Sequence, residues 1–166
     1  MNQYLSFGIL FFLALLQATV MPRITVLGVH PDLMLMAVTS WSLLRGSEEG
    51  MLWALIGGVV MDLFSGAPFG VCTLALLIVS FLSGLGQRNV FRLDLLVPIL
   101  AIPVATLAYQ LIVLGLLAAL GWRAGWGASL SHVILPSMLV NTLGMPAVYL
   151  SARLLHHRTV GEEIVL

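Results

Sequence analysis

Lysine is missing from this chain, cysteine occurs once, and charged residues make up only 8% of its 166 positions. Each shortage excludes something. Seven arginines balance seven acids, so no net field attracts nucleic acid or an acidic substrate, and nucleic-acid binding is ruled out. The lone thiol, Cys72, cannot form an internal disulfide, and no zinc-type His/Cys spacing accompanies it. Ser-His-Asp, Cys-His, HExxH and paired-carboxylate arrangements are equally missing. The expectation is therefore no catalysis, no metal and no cofactor.

What is there is apolar. Hydrophobic residues make up 60% of the chain and mean hydropathy is +1.09, whereas soluble domains carry roughly 25% charged residues. This is the composition of an integral protein of the lipid bilayer. Because only helices cross lipid with their backbone groups satisfied internally, the fold class is all-α, a polytopic membrane protein. The length accommodates about six helices of around 20 residues, each crossing roughly 30 Å of hydrocarbon.

Charges and turn residues bound the expected spans at about 4–21, 31–44, 50–64, 71–86, 95–120 and 127–152, within a single transmembrane domain. A polar tail, 153–166, follows. The first span lacks a basic leader and a small-x-small cleavage site before Arg23, so it is expected to be retained. In the connection "RITVLGVHPD", Pro31 suits a first helical turn and Asp32 the positive end of a helix dipole, marking a helix start; the conformation of 24–30 is left open.

With six spans, alternate loops share a side. One side collects Arg45, Arg88, Arg92, Arg153 and Arg158, the other Arg23 and Arg123, which places both termini in the cytoplasm. Trp41 and Trp53 flank the loop "RGSEEG" at 45–50, and Trp122 and Trp126 flank "GWRAGWG", as interfacial belts would.

From Gly50 to Gln87 the only charged side chain is Asp62. It follows Gly58 and Ala54 at one-turn intervals, so a face of small residues meets protein rather than lipid. A carboxylate at the bilayer centre costs about 2.5–3.5 kcal/mol on insertion scales. Two readings stand: a functional acid partnered by Arg23 or Arg123, or a structural one that accepts hydrogen bonds from turn amides or from hydroxyls such as Ser65. In the turn "SGAPFG", Gly66 and Gly70 permit a tight reversal and Pro68 ends helical continuation.

Ala14 and Ala18, four apart with Gln17 between them, form a possible helix interface, either internal or towards another protein. Pro136 and Pro146 around Asn141 and Ser137 predict a kinked sixth span, either a plain kink or the wall of a substrate cavity. His132, His156 and His157 are not placed as ligands.

Two stretches, "HPDLMLMAVTSWSLLRG" and "GMLWALIGGVVMDLFSGAPFG", resemble the bacterial rod shape-determining protein MreD family, and the resemblance covers essentially the whole chain. Its most distinctive residues are Pro31, Asp32, Gly58, Asp62, Ser65, Gly66, Pro68 and Gly70. The resemblance implies a non-catalytic, multi-pass component of the bacterial inner membrane. It further implies association with the single-span protein MreC and, through it, with the MreB filament, the RodA glycosyltransferase and its partner transpeptidase, organising lateral peptidoglycan synthesis. The family is also similar in six-helix architecture to the S components of energy-coupling-factor vitamin transporters. That similarity implies an alternative, a small-molecule-binding membrane subunit with a pocket between the sixth span and the Asp62 hairpin.

Overall fold

Gly46, at φ 90°, is the whole connection between two helices that the polar stretch 45–50 was expected to hold further apart. Glu48 and Glu49 do not form a loop. They occupy the first turn of the next helix, where carboxylates favour the positive end of the backbone dipole. The computed structural model of the protein describes residues 3–86, 96–122 and 130–160, and side chains within 7–86, 96–122 and 131–156. The expected loop "RNVFRLD", Arg123, Trp126, Arg158, His157 and the end of the tail therefore lie outside the residues or side chains described.

Among the described residues six α-helices follow in order: α1 (Gln3–Thr19), α2 (Leu33–Arg45), α3 (Ser47–Ser65), α4 (Val71–Gly84), α5 (Leu96–Ala119) and α6 (Leu135–Val160). A short 3-10 turn, Met21–Arg23, follows α1, and a π-helical turn, Leu130–Ile134, precedes α6. Between the first of these and α2, Val26 and Val29 exchange backbone hydrogen bonds of 2.9 and 3.1 Å around a Leu27-Gly28 tip. Both tip residues have positive φ, the pattern of a type I′ reversal. Residues 24–29 are thus a tight hairpin and not a helical extension.

The sixth helix differs from expectation at both ends. At its start Pro136 follows closely on the π-helical turn Leu130–Ile134, which runs without a break into α6, so the irregularity there is a π turn, and Pro146 is the proline in the α-helical interior. At the other end, helix continues through Arg153 to Val160, a stretch expected to be polar tail. Long charged side chains are good helix formers and do not end a helix that leaves an apolar layer.

Helix α2 is the centre. It has 13 residues, about 20 Å at 1.5 Å per residue, and every residue from Met34 to Leu43 is buried. It packs on α1, α3, α4, α5 and α6 alike. Around it, α1 packs on α3, α3 on α4, α4 on α5 and α5 on α6, whereas α1 and α6 do not form a packed pair. Among the described residues, the outer five helices make a ring with one opening.

Polarity is distributed inside out. Thr39, Ser40, Ser42, Asp62, Thr73, Ser80, Thr106, Ser137 and Asn141 are buried, while Phe12, Leu55, Leu74, Val104, Leu139 and Leu143 are exposed. Hydrocarbon surroundings favour this arrangement, since lipid tails accept apolar side chains freely and polar groups must find partners within the protein.

Candidate functional site

The reversal between α3 and α4 begins with Gly66 at φ 67° and ends with Gly70 at φ 99°, both left-handed conformations that side chains other than glycine rarely adopt. Gly70 is also the N-cap residue of α4 and has no side chain with which to cap it. Asp62, eight residues earlier on α3 and 5% exposed, supplies the missing acceptor. Its Oδ2 accepts from the Gly70 amide at 2.9 Å, the Thr73 amide at 3.1 Å and the Thr73 hydroxyl at 2.6 Å. Its Oδ1 accepts from the Cys72 amide at 2.9 Å. One carboxylate therefore closes the N-terminus of the neighbouring helix, with three amides and the α4 dipole favouring its charge.

Ser65 is not among its donors. The Ser65 hydroxyl instead accepts weakly from the Ala67 amide at 3.3 Å, and Pro68 offers its carbonyl to Val71 at 3.3 Å. Among the described residues Asp62 forms no ion pair, and Arg23 is not its partner. Close approach of α3 and α4 depends on Gly58: a Cβ there would lie 2.5 Å from the Thr73 Cα. Ala54, one turn earlier, is fully buried. Gly58, Asp62 and Thr73 thus form one contact. Thr73 was not singled out by sequence reasoning, although a hydroxyl residue in the first turn after a bare glycine cap is the available signal.

A second polar knot lies where α2 begins. Asp32 caps its own helix, Oδ1 accepting from the Leu35 amide at 3.0 Å. The Asp32 amide donates to Asn141 Oδ1 of α6 at 2.9 Å, and Asn141 Nδ2 donates to the Thr106 hydroxyl of α5 at 3.1 Å. From α1, Gln17 Oε1 accepts from the Leu33 amide at 2.8 Å and Gln17 Nε2 donates to the Pro31 carbonyl at 3.3 Å. Four helices are tied through the first turn of α2. Pro31 precedes the Asp32 cap and lies outside the helix, not in its first turn as its sequence position suggested, and its carbonyl serves as the acceptor for Gln17.

Gln17 and Ala14 therefore face inward. Ala14 is fully buried in the core and Ala18 is half-buried, so Ala14 is not available to another protein. Asn141 and Ser137 are buried, and Asn141 is engaged on both ends of its amide, which leaves it no group turned towards a ligand.

At the opposite end of the bundle a third cluster escaped sequence reasoning. Trp41 and Trp53, expected in an interfacial belt, stack on each other at 4.2 Å with an 8° interplanar angle. Trp41 Nε1 donates to Glu49 Oε2 at 3.2 Å, and Arg45 pairs with Glu49 Oε1 at 3.0 Å. Arg45 Nε also donates to His156 Nδ1 at 2.8 Å, linking α2 to the end of α6. The i,i+4 spacing of Arg45 and Glu49 was the one visible signal. The Thr39 hydroxyl in α2 is buried without a partner, and nothing in the structure explains it.

None of these clusters pairs a nucleophile with a base, and among the described residues no three His, Cys, Asp or Glu side chains gather. Their chemistry is the joining of helices. Two carboxylates at helix starts, each in one of the stretches that carry the family resemblance, are where a family comparison bears most directly. The chain matches the profile of rod shape-determining protein MreD over residues 1–157. It belongs to the MreD family. No curated protein and no solved structure gives a match. MreD proteins are membrane proteins of rod-shape determination, a family of structural rather than enzymatic character, and the apolar exterior described above agrees with that setting.

Proposed function

We propose that this protein is a non-catalytic scaffold of the cell-elongation machinery in the bacterial cytoplasmic membrane. Its six helices cross the bilayer with both termini in the cytoplasm. It holds an MreC-like single-span partner and, through it, links the MreB filament to the RodA glycosyltransferase and its transpeptidase, so that lateral peptidoglycan synthesis follows the rod axis.

One observation carries this reading. The strongest polar groups within the apolar body are engaged internally: Asp62, Asn141 and Gln17 each tie one helix to another, and the Asp32 carboxylate caps its own helix. What is presented outward is apolar, so recognition proceeds through packing in the membrane plane. Purification in mild detergent tests it: a single-span shape protein should be retained in stoichiometric amount. A chain that emerges alone, even after cross-linking in cells, would overturn the proposal.

A further inference from the structure

Equal cylinders pack about six around one, at the 8–10 Å axial distances usual for helices. Helix α2 has five neighbours, and four of the junctions between them are closed by packing. The fifth junction, between α1 and α6, is a groove of about 290 Å³. Ala37 of α2 forms its floor, Leu13 and Trp53 line one side, and Ala147, Ser151 and Ala152 the other. We infer that this groove is the seat of one transmembrane helix from a separate protein, which completes the ring around α2.

The shape argues for a helix. Packing closes four of the five junctions around α2, and the one left open, with Ala37 of α2 at its floor, is where a sixth neighbour would stand. The wall argues the same way, because Ala147, Ser151 and Ala152 between the larger Val148 and Leu155 of α6, with Ala37 on the floor, let a second backbone approach closely, the condition for helix association in lipid. A smaller groove between α4 and α5, about 230 Å³ and also rich in alanine, lacks this property, since those two helices already pack on each other. A second copy of the chain is a poor occupant. Each of its helices is already packed on at least two of its own neighbours, so none stands free to enter the slot.

The inference rests on the scaffold reading and goes beyond it in assigning the surface. The first measurement is co-purification of the single-span partner with wild type, Ser151→Trp and Leu150→Trp. Ser151 lines the groove and is exposed, so a large side chain there fills the slot without disturbing the core; Leu150, at the same depth, is exposed but does not line the groove. Retention should fall about tenfold or more with Ser151→Trp, a change of about 1.4 kcal/mol or more, and less than about twofold with Leu150→Trp. Retention of the partner by Ser151→Trp at the wild-type level overturns the inference while leaving the scaffold intact. Loss of the partner from wild type overturns both.

A photo-reactive benzoylphenylalanine at position 151, in living cells, covers the case in which the tryptophan variant does not fold. Adducts within the membrane helix of a single-span protein support the assignment. Adducts only to lipid, or to a second copy, overturn it.

Discussion

Removing the Asp62 carboxylate strands three amides and a hydroxyl at once, because it is the acceptor for the Gly70, Cys72 and Thr73 amides and for the Thr73 hydroxyl. At the low end of roughly 1–3 kcal/mol for each buried group left unpaired, four such groups put the cost of Asp62→Leu at about 4 kcal/mol. That corresponds to roughly 8–16 °C in melting temperature, read in detergent, with a reduced membrane level. Asp62→Asn, which keeps one acceptor oxygen, should lose about half as much. Equal melting of Asp62→Leu and wild type would show that the cap contributes nothing. A sharper comparison is available next door. Gly58→Ala places its Cβ against Thr73 backbone, whereas the Gly57→Ala Cβ would meet only the Met34 sulfur at 2.6 Å. Methionine yields and backbone does not, so Gly58→Ala should cost about 2–3 kcal/mol and Gly57→Ala under about 1 kcal/mol. Leu27 offers the opposite sign. It is 66% exposed and held at φ 55°, where leucine is strained and asparagine is tolerated. Leu27→Asn should therefore gain on the order of 0.5–1 kcal/mol, measured as a rise in melting temperature. Sequence alone marked Asp62 as an acid that needs partners, because a carboxylate among apolar residues has to be satisfied. It could not name Thr73, since that contact depends on how closely two helices approach across the turn.

Helix starts were more readable than helix ends. Pro31 and Asp32 announce α2 through fixed φ and a capping carboxylate, both local effects. The α2–α3 junction was misjudged because charge was taken for loop, although two glutamates after a glycine are also a good first turn. The same error shortened α6, whose last turns carry Arg153 and His156 and remain helical. Their purpose is visible only in three dimensions, where His156 meets Arg45. The geometry of that bond requires an unprotonated Nδ1 on His156, since the guanidinium is always a donor. His156→Ala should accordingly loosen the end of α6. Protease or hydrogen-exchange protection is expected to fall over 153–160 while the α3–α4 hairpin is unchanged. A uniform loss of protection along the chain would instead mean that the contact supports the whole bundle.

For the whole molecule, composition was decisive on class and silent on arrangement. Few charges and long apolar stretches indicate lipid surroundings and helices, which is the inside-out polarity observed. They cannot say which helix stands at the centre, because an all-round apolar helix gives no preferred face. Thr39, Ser40 and Ser42 were a sign of it: within four positions they fall on different sides of α2, and a helix surrounded by protein tolerates hydroxyls on several sides. The proposed orientation is testable at this scale. Cys72 is buried, so a Cys72→Ser background leaves no native thiol. Single cysteines at Ser47 and Ala67 should react with impermeant maleimide from opposite sides of the membrane, Ala67 from outside in intact cells. Labelling of both from one side would refute the arrangement of spans.

The shortness of α2 bears on how the protein is made. A segment of 13 residues with three hydroxyls, about 20 Å long, is too thin to settle alone in a hydrocarbon layer of roughly 30 Å as it leaves the ribosome. Its entry must wait until the α3–α4 pair and the later helices have enclosed it, so the keystone of the bundle is synthesised early and lodged late. Truncated nascent chains ending after Arg45 should leave this segment accessible to aqueous probes, while full-length chains should not.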